Sequence, residues 1–163
     1  QWIKDLITFT KDCHENKKML LGICFSHQLI AAALGGAVEK SDKGWGVGVR
    51  SFQLISPPPW PEDEIPQNLS LLFSHQDQVA KLPPESHLIA GDDFCPYQIF
   101  SIGNHILSIQ GHPEFTKIYA KERYDTREDK LGEDTYLEAI SSLDQETDDI
   151  IIGNWIVKFF NAN

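Results

Sequence analysis

The chain has 163 residues, enough for one domain with a buried core. Its 14 basic and 24 acidic residues leave a formal charge of −10, which argues against nucleic acid or an anionic membrane surface as a general partner. Three irregularly spaced cysteines, Cys13, Cys24 and Cys95, make neither a disulfide framework nor a zinc pattern, and no apolar run approaches the roughly twenty residues of a membrane span. The N-terminus lacks a signal-peptide profile, so a soluble protein of the reducing cytoplasm is the expectation.

Trp2, Ile3, Leu6, Ile7 and Phe9 recur at helical spacing and predict a helix over about residues 1–14. The apolar run Met19-Leu20-Leu21, bounded by Lys17, Lys18 and Gly22, predicts a short buried strand. A helix rich in Ala, Leu and Ile follows through residue 34 and stops at Gly35-Gly36. Between strand and helix stands Cys24. Such a turn aims a side chain at the carboxyl edge of a sheet and sets it on a helix N-terminus, where a thiolate is stabilised. A buried, inert cysteine is the alternative reading of that residue alone.

Residues 37–40 read as a short strand and residues 41–48 as a glycine-rich turn around Trp45, with no helix behind it to receive a phosphate. Residues 47–55 have strand character. The stretch 56–68, with Pro57, Pro58, Pro59, Pro61 and Pro66 beside Glu62, Asp63 and Glu64, predicts a surface connection. Leu69 to Phe73 predicts a strand that runs out at Ser74-His75-Gln76-Asp77-Gln78-Val79. Polar residues past a strand end suit a ligand contact, and an ordinary polar turn is the alternative.

Residues 87–90, 97–101 and 106–110 are three further strands, the last two joined as a hairpin at Gly103-Asn104. Cys95, beside Pro96, reads as buried and inert. The strand at 106–110 delivers His112, and Glu114 follows two residues later across the stiff Pro113. An imidazole near a thiol takes its proton, and a carboxylate on the other ring nitrogen fixes tautomer and orientation. A histidine at a strand end is by itself more often structural; its weight here comes from conjunction with Cys24. Residues 116–130 predict a charged helix carrying Arg123, Arg127, Glu128 and Asp129 on a solvated face, broken at Gly132. A short helix over 134–143 and an amphipathic closing helix over 148–160 complete the chain, the apolar stripe of the latter being core.

Gly22-Ile23-Cys24-Phe25-Ser26-His27-Gln28 resembles the G-x-C-x-G-x-Q nucleophile elbow of the class I glutamine amidotransferases, with Ser26 where that family usually has glycine. Gln110-Gly111-His112-Pro113-Glu114-Phe115 resembles its H-P-E motif, and Ser74-His75-Gln76-Asp77 lies between the two. With Gly44-Trp45 and Cys95-Pro96, the wording is most similar to stand-alone amidotransferases like the glutaminase domain of GMP synthase, a branch that includes plant-type γ-glutamyl peptidases.

The resemblance implies an α/β fold, a flavodoxin-like three-layer αβα open sheet, with residues 1–163 forming a single amidotransferase-like domain. It also implies that the family's N-terminal strands, and a glycine-rich loop giving one oxyanion donor, lie outside this sequence. By resemblance the triad is Cys24, His112 and Glu114, the backbone N–H of Phe25 is an oxyanion donor, and Gln28 with Ser74, His75, Gln76 and Asp77 holds the substrate's α-amino and carboxylate ends. The implied activity is hydrolysis of the glutamine side-chain amide through a Cys24 γ-glutamyl thioester with release of ammonia. The alternatives are a free-standing γ-glutamyl peptidase or a non-catalytic binding relative. The implied partners are glutamine or a γ-glutamyl small molecule and a separate ammonia-accepting synthetase, since no ATP-pyrophosphatase or P-loop signature is present. No cofactor and no metal are implied, and the six histidines show no ligand spacing with the cysteines.

Overall fold

Apolar runs of four to nine residues, punctuated by glycine and polar turns, become strands, and the longer periodic stretches become helices. The computed structural model describes residues 1–60 and 65–161. In chain order the elements are α1 (Trp2–Glu15), β1 (Leu20–Ile23), α2 (Phe25–Ala33), β2 (Ala37–Lys40), β3 (Gly46–Leu54), β4 (Asn68–His75) and β5 (Asp77–Lys81). They continue with β6 (Ser86–Gly91), β7 (Ile99–Ile102), β8 (Ile106–Ile109), α3 (Lys117–Asp125), α4 (Glu128–Leu131), α5 (Glu133–Ser142) and α6 (Asp149–Asn161).

Six strands form one sheet in the order β1-β8-β7-β6-β3-β4, and β2 pairs with β5 in a separate antiparallel ribbon. Within the sheet β1 runs parallel to β8, with Ile23 opposite Ile109, and every other neighbouring pair is antiparallel. The sheet curls far enough that Leu72 of β4 makes an isolated antiparallel bridge with His112, just beyond β8. That bridge ties the far edge of the sheet to the strand beside β1.

Alternation along the strands sorts the side chains into layers. Leu69, Leu71 and Phe73 of β4, Phe52 of β3, and Leu107 and Ile109 of β8 share a core with Ile152, Trp155 and Phe159 of α6. On the other face, Ile106, Phe100 and Ile102 pack with Ile30 and Ala31 of α2, while Val47, Val49 and Leu72 pack with Tyr124 of α3 and Ala139 of α5. The result is a helix layer on each side of a mixed sheet, the expected three-layer α/β arrangement. Strand β8 is buried on both faces, which explains its unbroken apolar run around Ser108.

The predicted hairpin forms, with Ile102 opposite Ile106 and Gly103 at a φ of 54°. The predicted stop after α2 also forms, with Gly35 left-handed at φ 97° and the Gly36 N–H bonded to the Ala31 carbonyl. Three expectations are revised. The 56–68 connection is not wholly superficial, because Trp60 is 6% exposed and packs edge-on against Trp155 and Phe159; its residues 61–64 lie outside the described residues. The polar segment after residue 73 is not a simple turn, since β4 runs on to His75 and β5 starts at Asp77. The charged helix after Thr116 breaks at Thr126 into α3 and α4, and Gly132, at φ 79°, separates α4 from α5.

Candidate active site

Cys24 is the hinge between β1 and α2. Its N–H continues the parallel ladder by donating to the Ile109 carbonyl at 2.9 Å, and its own carbonyl accepts from the Gln28 N–H at 3.1 Å, starting the helix. To satisfy both it adopts φ 50° and ψ −101°, a conformation a non-glycine residue takes only under constraint. Glycine at position 22 makes the turn feasible, because a β-carbon there would run into Ile30 Cδ1 and come within 3.0 Å of the Ser26 backbone. Ser26, in the family's glycine position, is half-buried, on the α1 side beside Leu6, Phe9 and Thr10. The thiol thereby stands at the N-terminal end of α2, whose first N–H groups, that of Phe25 included, have no partner within the helix.

His112 arrives from the neighbouring strand. Beyond β8 the Gln110 N–H donates to the Gln98 carbonyl and the His112 N–H to the Leu72 carbonyl, both at 2.8 Å, which fixes the backbone that carries the ring. The ring is clamped on three sides. Glu114 Oε1 lies 2.7 Å from Nδ1, the Phe115 ring stacks on the imidazole with centroids 3.8 Å apart, and the Cys24 thiol lies within electrostatic reach of the ring. Burial alone would lower the imidazole's pKa. The hydrogen bonds and charges of Cys24 and Glu114 outweigh it, and His112 is pushed up to about 9. The arrangement can therefore hold an imidazolium beside the Cys24 sulfur at neutral pH.

The remaining sequence-predicted residues divide into those near this centre and those beneath it. Gln28, one turn into α2, donates through Nε2 to the Asp77 carbonyl at 2.5 Å and to Gln110 Oε1 at 3.1 Å, so Gln28 and Asp77 meet. Ser74 Oγ accepts from Arg127 Nη1 at 3.2 Å. Gln76 is half-buried, and its carbonyl accepts from the Ser41 N–H. His75 lies under the site rather than in it: its ring is wedged between Phe73 and Phe94, and burial, with the charges of Arg50 and His112, drops its pKa to about 4. The Phe25 ring is 44% exposed and lies 5.6 Å from Trp2.

Sequence reasoning missed Arg127, whose side chain is half-buried and lies within electrostatic reach of Cys24 rather than on a solvated face. No local pattern marks it, because Arg127 stands in the turn between α3 and α4, outside either helix. Cys95 is buried, and burial with the Asp92 charge raises its thiol to about 12, as suits an inert cysteine. Among the described residues no group of three or more His, Cys, Asp or Glu side chains is placed to hold a metal ion. No helix among them is long and apolar enough to cross a membrane.

Comparison with known proteins shows the family and the fold. The family model described as glutamine amidotransferase class-I matches residues 2–126. Gamma-glutamyl peptidase 5 of Arabidopsis thaliana is 37% identical over 120 residues, covering 71% of this chain and 48% of that protein. A subunit of the glutamine-hydrolyzing GMP synthase of Pyrococcus furiosus is 35% identical over 100 residues, covering 58% of this chain and 50% of that one. The chain thus spans about half the length of these curated relatives. Among solved structures, a glutamine amidotransferase from Thermotoga maritima superposes with a TM-score of 0.76 at 18% identity over 98% of this chain and 68% of that one, which shows the shared fold. With a family model that covers most of its length and the elbow and H-P-E segments brought together in space, the chain belongs to the class I glutamine amidotransferase family.

Proposed function

We propose that the chain carries the catalytic centre of a cysteine-dependent hydrolase of γ-glutamyl amides, with glutamine as substrate and ammonia as product. The observation that carries this reading is the His112 ring held between the Cys24 thiol and the Glu114 carboxylate, with its proton retained to about 9. Cys24 Sγ attacks the side-chain carbonyl carbon, and the carbonyl electrons move onto oxygen, which faces the Phe25 N–H at the start of α2. As the C–N bond breaks, His112 gives its proton to the departing nitrogen, leaving a γ-glutamyl thioester on Cys24. Water then attacks the thioester while His112 accepts its proton. Glutamate leaves, and Cys24 and His112 return to their starting state. Glu114 keeps the ring oriented throughout. Gln28 with Ser74, Gln76 and Asp77 serves the α-amino and carboxylate ends of the substrate, and the buried His75 ring lies beneath them.

Ammonia released in this way is used by a separate synthetase, a reading supported by the similarity to the Pyrococcus GMP synthase chain. A second reading, a free-standing γ-glutamyl peptidase, is favoured by the similarity to the Arabidopsis peptidases. Both belong in a reducing cytoplasm, where Cys24 stays a thiol. The test is release of glutamate from glutamine and from γ-glutamyl dipeptides by the full-length protein, with and without the Cys24→Ala change. Cys24→Ala is expected to cut turnover by about a thousandfold or more. Turnover that survives the substitution overturns the assignment.

A further inference from the structure

Gln28 and Gln110 tie together the two segments that carry Cys24 and His112. Gln28 stands four residues after Cys24, on the same face of α2, and its N–H donates to the Cys24 carbonyl. Its side-chain amide has two hydrogens and both are used: Nε2 donates to the Asp77 carbonyl at 2.5 Å and to Gln110 Oε1 at 3.1 Å. A backbone carbonyl only accepts, so the amino end of the Gln28 amide must face Asp77. With the second hydrogen on Gln110, that amide has one orientation, and its Oε1 is turned away from both partners.

Gln110 is unfavourable where it stands. It is fully buried, and since Ile109 packs into the α6 core, alternation turns the Gln110 side chain to the α2 face of the sheet. Along β7 and β8 that face carries Phe100, Ile102 and Ile106 against Ile30 and Ala31. Gln110 Nε2 has no hydrogen-bond partner among the described residues, and neither end of the amide of Gln98, the buried residue whose carbonyl accepts from the Gln110 N–H, has one. An apolar side chain of the same bulk would avoid the cost of an unpaired buried amide. What the glutamine alone supplies is the Oε1 acceptor that Gln28 uses.

We propose that Gln110 is a positioning residue for the glutamyl end of the substrate: it takes the second Nε2 hydrogen of Gln28 and so leaves Gln28 Oε1 as an acceptor for the substrate's α-ammonium group. An ionised carboxylate has no hydrogen to give that oxygen, so Gln28 holds the amino end, and the α-carboxylate falls to other donors of the site. Without Gln110 the Gln28 amide keeps only its bond to Asp77 and is free to swing about it. This rests on the hydrolase reading above, which gives Gln28 to the substrate, and it names the residue that sets which end Gln28 holds.

The experiment measures kcat and KM of the full-length protein for L-glutamine against glutaramic acid, which lacks the α-amino group, and for γ-glutamylglycine against glutarylglycine. In the pair it turns over, the wild-type protein is expected to favour the amino-bearing member by about tenfold to a hundredfold in kcat/KM, the range of a charge-assisted hydrogen bond. Gln110→Met keeps the bulk and removes the acceptor; it raises KM for the amino-bearing substrate more than it lowers kcat and brings the ratio close to one. Gln110→Glu keeps an acceptor oxygen and restores most of the ratio. Absence of the preference in the wild-type protein overturns the proposal. So does a Gln110→Met protein that keeps the preference, or that loses kcat/KM equally on both members of a pair, which assigns Gln110 to packing alone. Binding of glutamine and glutaramic acid to the Cys24→Ala protein, measured by calorimetry, separates this proposal from the hydrolase reading. Amino-dependent binding that is lost on adding Gln110→Met, in a protein whose wild-type form shows no turnover, upholds the positioning role and overturns the hydrolase. Cys24-dependent turnover with no amino-dependent binding does the reverse.

Discussion

Glu114 is half-exposed, yet through one 2.7 Å contact it helps govern the titration of the ring beside Cys24. A raised pKa means that His112 keeps its proton below about 9 and loses it above, so kcat/KM is expected to hold from neutral pH and then decline through an alkaline limb near 9. Glu114→Gln removes one of the supports of the imidazolium, and the limb should shift toward the ordinary histidine range with a loss of rate. A pH–rate profile checks this, and an unmoved limb would show that Cys24 alone sets the titration. The meeting of Cys24, His112 and Glu114 was legible in the sequence because Cys24 follows β1 directly, His112 comes three residues after β8, and Glu114 follows it two residues later in one short local pattern. Arg127 was not, because what gives it meaning is Ser74 and Cys24, residues brought to it by the curl of the sheet. His75 was misjudged for the same reason: its neighbours in the chain are polar, but its neighbours in space are Phe73, Phe94 and the backbone of Gly46.

Between residue and molecule, the elbow of β1, Cys24 and α2 acts as one mechanical unit. Gly22 is buried against the first turn of α2, so Gly22→Ala has no room for its methyl group without displacing Ile30 or the Ser26 backbone. Overpacking of this kind costs about 1–3 kcal/mol. The expected outcome is a lower Tm together with a fall in Cys24-dependent turnover; full activity at an unchanged Tm would show that the elbow can yield. At this scale α1, α2, α6 and the buried strands were legible from period and length, because their apolar residues repeat over enough positions. Strand β5 was not, since Val79 is its one buried side chain and its partner β2 is half-buried at best. The break between α3 and α4 was also missed, because no glycine or proline marks it and the backbone turns at Thr126 among charged residues. Trp60 was hidden by its prolines, which signal a loop and say nothing of a ring reaching back to Trp155 and Phe159.

At the scale of the molecule, the fold keeps His27 and His75, two of its three buried imidazoles, neutral. Burial, chiefly, lowers His27 to about 3 and His75 to about 4, whereas an unfolded chain titrates them near 6.5. Below about 6.5 the unfolded state takes up protons that the folded state refuses, so stability falls as pH falls through that window and is recovered above it. At pH 5 the loss is roughly 2 kcal/mol for each ring, a large share of the 5–15 kcal/mol that holds a typical domain together. Thermal melts from pH 8 to 5 should show the decline, and replacing His75 with glutamine should reduce its slope; a slope unchanged by that substitution would exclude the ring as its source. The bridge between Leu72 and His112 carries a last consequence. It is the seam where the two ends of the curled sheet are stitched, and it is also what presents the base to the thiol. Under the proposed assignment, a chain that has made its strands but not this seam has no imidazole presented to Cys24, so thiol and base come together only once folding is complete.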